Sequence, residues 1–380
     1  MNLPLLPISQ RSCPATRGCE QHGNIDQRAQ RASFSLLSIT LARHALFAGV
    51  TRQLKRWART ERLGKRIIMH IPDGFIDGKT AATTALLSAA GVGLALRQVR
   101  RRLPPRRVPL LGLAAAFLFA AQMVNFPVAG GTSGHLVGGV LTAALLGPSA
   151  AIVVLTTVLI VQCFLFADGG VLALGANIFN MAIVGAAGGY AIYRLVCRWL
   201  PGTRGQVAAV AFAGWCSTVL ASISCAGQLA WSGTVAWPVG FTAMTSVHMA
   251  IGVGEGLISA LVLLAIQRVR PDLTSEMSGA EPPRPWGELV RYGLLVALGV
   301  VIFVAPFACP WPDGLESVAA KLGFGHKAIQ PVVLAPAPGY QVPGVRWAAG
   351  ATALAGAAGA VIVFGLALLL ARSLVREEKP

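Results

Sequence analysis

Ser149-Ala150-Ala151-Ile152-Val153-Val154-Leu155-Thr156-Thr157-Val158-Leu159-Ile160-Val161-Gln162-Cys163-Phe164-Leu165-Phe166-Ala167 contains no charged side chain, and its reading decides the fold. Wound as a helix at about 1.5 Å per residue, it is as long as the ~30 Å hydrocarbon core of a bilayer is thick. Lipid offers no hydrogen bonds, so a helix that pairs its own backbone is the form such a segment takes. Working outward, eight more apolar runs lie near spanning length, at 79–99, 107–128, 136–148, 171–195, 206–230, 240–268, 289–307 and 348–373. The expected fold is therefore an all-α integral membrane protein with about nine transmembrane helices. The run at 136–148 is short and is bounded by Gly-rich sequence and Gly147-Pro148. Irregular backbone at that depth has to be buried in protein or line a cavity.

Composition agrees and excludes other classes. The chain is 54% hydrophobic and 12% charged, with a mean hydropathy of +0.63. A soluble domain carries about 25% charged residues, so this chain cannot cover a water-facing surface. The net charge of +17 suggests nucleic acid, but +9 of it falls in residues 1–68 and most of the remainder in short loops. Arg97 to Arg107 follow the first run, Arg194 to Arg204 the fifth, Arg268 to Arg291 the seventh and Arg372 to Lys379 the ninth. Odd-numbered placement puts every basic cluster on one side, which the positive-inside rule makes cytoplasmic. The segment before the first helix, the loops at 129–135 and 167–170, and residues 309–347 then lie outside. The seven cysteines include no CxxC pair and read as small buried residues.

The domain organisation follows. Residues 1–68 are a basic extension with no clean apolar span, and translation is expected to start at Met69 or the extension to be removed. Residues 69–270 form a seven-helix unit, 271–288 a cytoplasmic linker, 289–373 a two-helix module and 374–380 a cytoplasmic tail.

Four elements could carry chemistry. If Met69 is the mature terminus of Met69-His70-Ile71-Pro72-Asp73-Gly74-Phe75, its amine, the His70 amide nitrogen and the His70 Nδ1 can chelate one cation through a five- and a six-membered ring. Tetragonal nitrogen ligation of this kind suits Ni(II) or Cu(II); without the free amine, His70 is an ordinary loop histidine. The second element, Asn125-Phe126-Pro127-Val128-Ala129-Gly130-Gly131-Thr132-Ser133-Gly134-His135, re-enters from the outer face and ends in a histidine on the same side as His70. A helix cap is the plainer reading of His135. In the third, His248 and Glu255 lie seven apart and share one helix face. Ionisable groups at membrane depth are functional candidates, and a Gly-rich packing face explains them equally. The fourth is Trp311-Pro312-Asp313-Gly314-Leu315-Glu316, a turn leading into a short amphipathic helix with the exposed His326 beyond it. No GxxxxGK[ST] occurs, so the chain has no nucleotide-binding loop of its own.

Together these motifs, with Phe166-Ala167-Asp168-Gly169-Gly170, Ala176-Asn177-Ile178-Phe179-Asn180-Met181 and Gly252-Val253-Gly254-Glu255-Gly256, resemble the membrane substrate-capture component of cobalt/nickel energy-coupling-factor transporters. The resemblance covers 69–268. Residues 289–373, with Pro312-Asp313-Gly314-Leu315-Glu316, resemble that family's small two-helix accessory subunit, fused in line. The resemblance implies metal ligands Met69, His70 and His135, with Asn125, Ser133, His248 and Glu255 as neighbours or pathway residues. It also implies no permanent cofactor, Ni(II) or Co(II) as transported substrate, and no enzymatic activity. Implied partners are an energy-coupling transmembrane subunit and cytoplasmic ATPase subunits, in the lipid of a bacterial inner membrane. The Pro-Asp-Gly-Phe and Gly-Thr-Ser-Gly-His segments look more like the nickel branch. Two rivals remain at this level. Gly131-Thr132-Ser133-Gly134 with His248 fits a rhomboid-like intramembrane serine protease, and a gradient-driven divalent metal transporter would need no ATPase.

Overall fold

A lipid-exposed segment must satisfy its backbone internally, and nearly every long apolar run becomes a helix. The computed structural model describes residues 70–273 and 286–375. In chain order the helices are α1 (Gly78–Arg102), α2 (Val108–Gln122), α3 (Gly139–Leu146), α4 (Pro148–Phe166), α5 (Leu174–Trp199) and α6 (Gly202–Trp231). They continue with α7 (Trp237–Val269), α8 (Gly287–Phe307), α9 (Gly314–Leu322) and α10 (Ala348–Leu374). A two-stranded hairpin, β1 (Phe126–Val128) and β2 (Thr132–Gly134), separates α2 from α3.

Among the described residues, seven helices are long and apolar enough to cross a membrane: α1, α4 to α8 and α10. The sequence count of about nine is corrected at two runs. The run at 107–128 yields a 15-residue helix, because its last residues form β1 instead. The run at 136–148 yields an 8-residue helix, opened by Gly138 at φ 70° and broken by Gly147 at φ 88°. At one end of the bundle, Ser149 bonds Gln98 and Gln267 bonds Thr203 and Gln206, beside the arginine clusters. At the other end, Thr234 bonds the carbonyl of Phe75 and Cys309 N–H bonds that of Asn125.

Helix α4 is the most enclosed of the spanning helices. Around it Leu111, Leu118, Phe119, Leu155 and Val158 share one core with Val301 of α8 and Ala360 and Val363 of α10. Close approach depends on small residues, as helix packing in lipid requires. A Cβ on Gly112 would meet the Phe364 carbonyl at 3.0 Å, and one on Gly359 would collide with the Phe119 ring. In α7, Gly256 presses on the backbone carbonyl of Ala211 in α6, which cannot move aside. Gly256→Val should therefore destabilise the α6–α7 pair by about 1–3 kcal/mol, the usual cost of overpacking. A lower melting temperature in detergent checks this, and an unchanged one would show that the helices can part.

Candidate metal site

The segment before α1 is held by buried polar groups. Ile71 N–H donates to Asn177 Oδ1 at 3.0 Å, and the Ile71 carbonyl accepts from Asn177 Nδ2 at 3.1 Å and from Gly170 N–H at 2.9 Å. The buried Asp73 carboxylate accepts from the N–H groups of Val171, Leu172 and Ala173 at 2.8–3.2 Å. Gly74, at φ 94°, lets the chain turn against the Lys327 carbonyl, where any side chain would collide. The Pro-Asp-Gly turn thus anchors His70, which is 4% exposed.

The second histidine arrives on the re-entrant hairpin. Gly130 and Gly131, both left-handed, make its tip, and Phe126 pairs with Gly134. After His135 the chain turns through Gly138 in apolar surroundings, where free N–H groups are costly. Glu255 of α7 meets that need, accepting from Val137 N–H at 2.6 Å and Gly138 N–H at 2.9 Å. These two bonds fix the backbone beside His135.

The His70 and His135 rings lie with centroids 6.0 Å apart. Both ring nitrogens of His70 and Nδ1 of His135 are buried without a hydrogen-bond partner. His70 Nδ1 stands 3.1 Å from Asp168 Oδ1, but the contact is not aligned as a hydrogen bond. Burial, and next the repulsion of His70, push His135 down to about 4, so its ring is neutral at pH 7 and one nitrogen can offer a lone pair. A cavity of about 100 Å³ adjoins both rings and is also lined by Asn180, His248 and Asp313. Burial drives the Asp313 carboxyl well above its ordinary range. Among the described residues, no three His, Cys, Asp or Glu side chains form a group able to hold a metal. A cation here needs main-chain or terminal nitrogen donors besides the two imidazoles.

The other expected residues fall as follows. Met69 lies outside the described residues. His248 lines the cavity, with Nδ1 2.8 Å from the Met244 carbonyl. Asn125 is buried, but its side-chain oxygen has no partner and it does not line the cavity; only its carbonyl is engaged, by Cys309. Ser133 Oγ donates to the Trp311 and Pro312 carbonyls at 2.8 and 3.3 Å, so it ties the hairpin to the Pro-Asp-Gly segment. It is not paired with His248, as a serine nucleophile would be. Asp168 and Tyr340 are additions: Tyr340 Oη donates to Asp168 Oδ2 at 2.6 Å. An acid next to two glycines in a loop between apolar runs was the available signal for Asp168, whereas nothing in the spacing marks Tyr340.

Two family descriptions match, one for each part of the chain. Residues 70–273 match the cobalt uptake substrate-specific transmembrane region, and 287–376 match the PDGLE domain. Among relatives, one named as a fused nickel transport protein NikMN, from Archaeoglobus fulgidus, is 37% identical over 306 residues, covering 80% of this chain and 98% of its own. The fused nickel transport protein NikMN of Rhodobacter capsulatus is 32% identical, over 61% of this chain and 73% of its own. Cobalt transport protein CbiM 2 of Pelobacter propionicus is 34% identical, over 53% and 91%. A solved transition metal transporter is 33% identical over 53% of this chain and 93% of its own, at a TM-score of 0.49. The chain belongs to the cobalt uptake substrate-specific transmembrane family, as a multi-pass component of cobalt or nickel transport with a PDGLE domain fused behind it.

Proposed function

We propose that the chain is the substrate-capture component of an ATP-driven energy-coupling-factor importer, with Ni(II) preferred over Co(II). The observation that carries this reading is the pairing of the buried His70 ring with the half-buried His135 ring, whose Nδ1 is buried and unpartnered, at the end of the bundle opposite the arginine clusters. By the positive-inside rule that end faces away from the cytoplasm, where an importer meets its substrate. Soft and borderline divalent cations favour such nitrogen donors, while Mg(II) and Ca(II) prefer oxygen. The relatives that share the fused arrangement are named for nickel, which supports nickel here. In this reading the Met69 amine and the His70 amide complete a square-planar shell with the two rings, Glu255 holds His135 in place, and residues 69–270 and 289–373 act as capture and accessory modules.

Radioactive nickel uptake in cells carrying this gene, with and without coupling and ATPase genes, tests the energy source. Uptake should require both partners. Full uptake from this chain alone would instead establish a gradient-driven transporter. The amine donor has its own test, because with residues 1–68 attached Met69 offers only a peptide nitrogen. Intact-mass measurement of the native protein should find Met69 first, and a transport-competent protein retaining residues 1–68 would remove the amine from the ligand set.

A further inference from the structure

Asp168 and Tyr340 come from opposite parts of the chain, 172 residues apart, and meet inside the protein. Asp168 lies at the start of the loop after α4, with its side chain at the His70 ring. Tyr340 belongs to the long segment between α9 and α10, which is held to α4 by Ala337 N–H donating to the Leu165 carbonyl at 3.0 Å. Its ring stacks on Phe166 at 4.7 Å and lies 6.1 Å from Phe119, and it is 4% exposed.

Backbone strain is concentrated at this meeting point. Among the described residues, the non-glycine residues with positive φ are Ala167, at 50°, and Tyr340, at 59°. One adjoins Asp168 in sequence and the other is its hydrogen-bond donor. Residues with a Cβ hold such angles only where their surroundings enforce them, and such sites cluster at ligand clamps. The carboxylate itself is placed as a partner to the His70 ring. Its Oδ1 is 3.1 Å from His70 Nδ1, within ion-pair distance. A carboxylate so placed fixes the ring of a buried histidine.

We propose that Tyr340 is a positioning residue for the metal site: by holding Oδ2 of Asp168, it keeps Oδ1 against the His70 ring, so that the accessory module sets the affinity of the capture module. The proposal rests on the reading of His70 as a ligand. Carboxylates beside metal-binding histidines fix ring orientation and raise basicity, and losing one costs about 10–100-fold in affinity. Tyr340 acts one step further out, through Asp168.

The test uses the full chain purified in detergent and titrated with Ni(II) or Co(II) alone. Tyr340→Phe keeps the stack on Phe166 and removes only the hydroxyl. It should weaken binding about tenfold and shift the visible absorption of bound Co(II), while lowering the melting temperature of the metal-free protein by no more than the loss of one buried hydrogen bond entails. Asp168→Asn should weaken binding at least as much, and the double variant should bind like Asp168→Asn, because both changes break one chain of contacts. Unchanged binding in Tyr340→Phe, or losses that add in the double variant, would overturn the proposal. The two readings separate cleanly. If His70→Ala loses the metal while Tyr340→Phe binds normally, only the positioning role falls; if His70→Ala binds normally, the ligand reading falls and this one with it.

Discussion

His70→Ala and His135→Ala should each abolish high-affinity binding of Ni(II) by the purified chain, and with it nickel uptake. Each change removes an imidazole with at least one buried nitrogen that has no hydrogen-bond partner. No other group of metal-ligating side chains among the described residues can substitute. The loss should exceed the ~100-fold that follows removal of an outer hydrogen bond at a metal site. His326→Ala is the control. That ring lies exposed beyond α9, within reach of the Gly323 carbonyl at 2.8 Å, and its loss should leave affinity unchanged. Equilibrium titration with Ni(II) reads all three, and wild-type affinity in either site variant would refute the assignment.

Glu255→Ala should be nearly as severe for a different reason. The carboxylate is 1% exposed and accepts two main-chain N–H groups at the turn after His135. Removing it leaves both donors unsatisfied in an apolar interior, at about 1–3 kcal/mol each. The turn should rearrange and carry His135 away from His70. Glu255→Ala should thus lower the melting temperature of the metal-free protein and lose metal affinity together, whereas His135→Ala should lose affinity alone. Glu255→Gln keeps one acceptor oxygen but turns an amine toward the second N–H, and should fall between. Normal metal binding by Glu255→Ala would show that the hairpin holds its shape without this clamp.

Much of this architecture is legible in the residues. Long uncharged runs become helices because lipid leaves the backbone no alternative, and the arginine clusters order them by side. The Gly-Gly tip and Gly147-Pro148 mark the hairpin and the short α3 that interrupt the regular pattern. What fails is length. Phe126-Pro127-Val128 is as apolar as the helix before it, so hydropathy alone extends α2 into a strand. At the site, His70 and His135 are visible as histidines on one face, and the seven-residue spacing puts Glu255 on the same helix face as His248. The partner of Glu255 is not visible, because it is the backbone of another segment and has no side-chain signature. The Asp168–Tyr340 contact joins two irregular segments, and irregular segments carry no periodicity from which a contact can be read. The linker at 271–288 suggests separable units, yet Gly112, Gly356 and Gly359 bring α10 directly onto α2 and α4 in a shared core. In sequence, those glycines look like any others in a membrane helix.

X-ray absorption spectroscopy of the purified, nickel-loaded chain tests the central claim most directly. The account predicts a nitrogen-dominated shell with the multiple scattering of two imidazoles, reduced to one in His135→Ala if residual metal is retained. A shell of water and carboxylate oxygens, or one with sulfur donors, would contradict it.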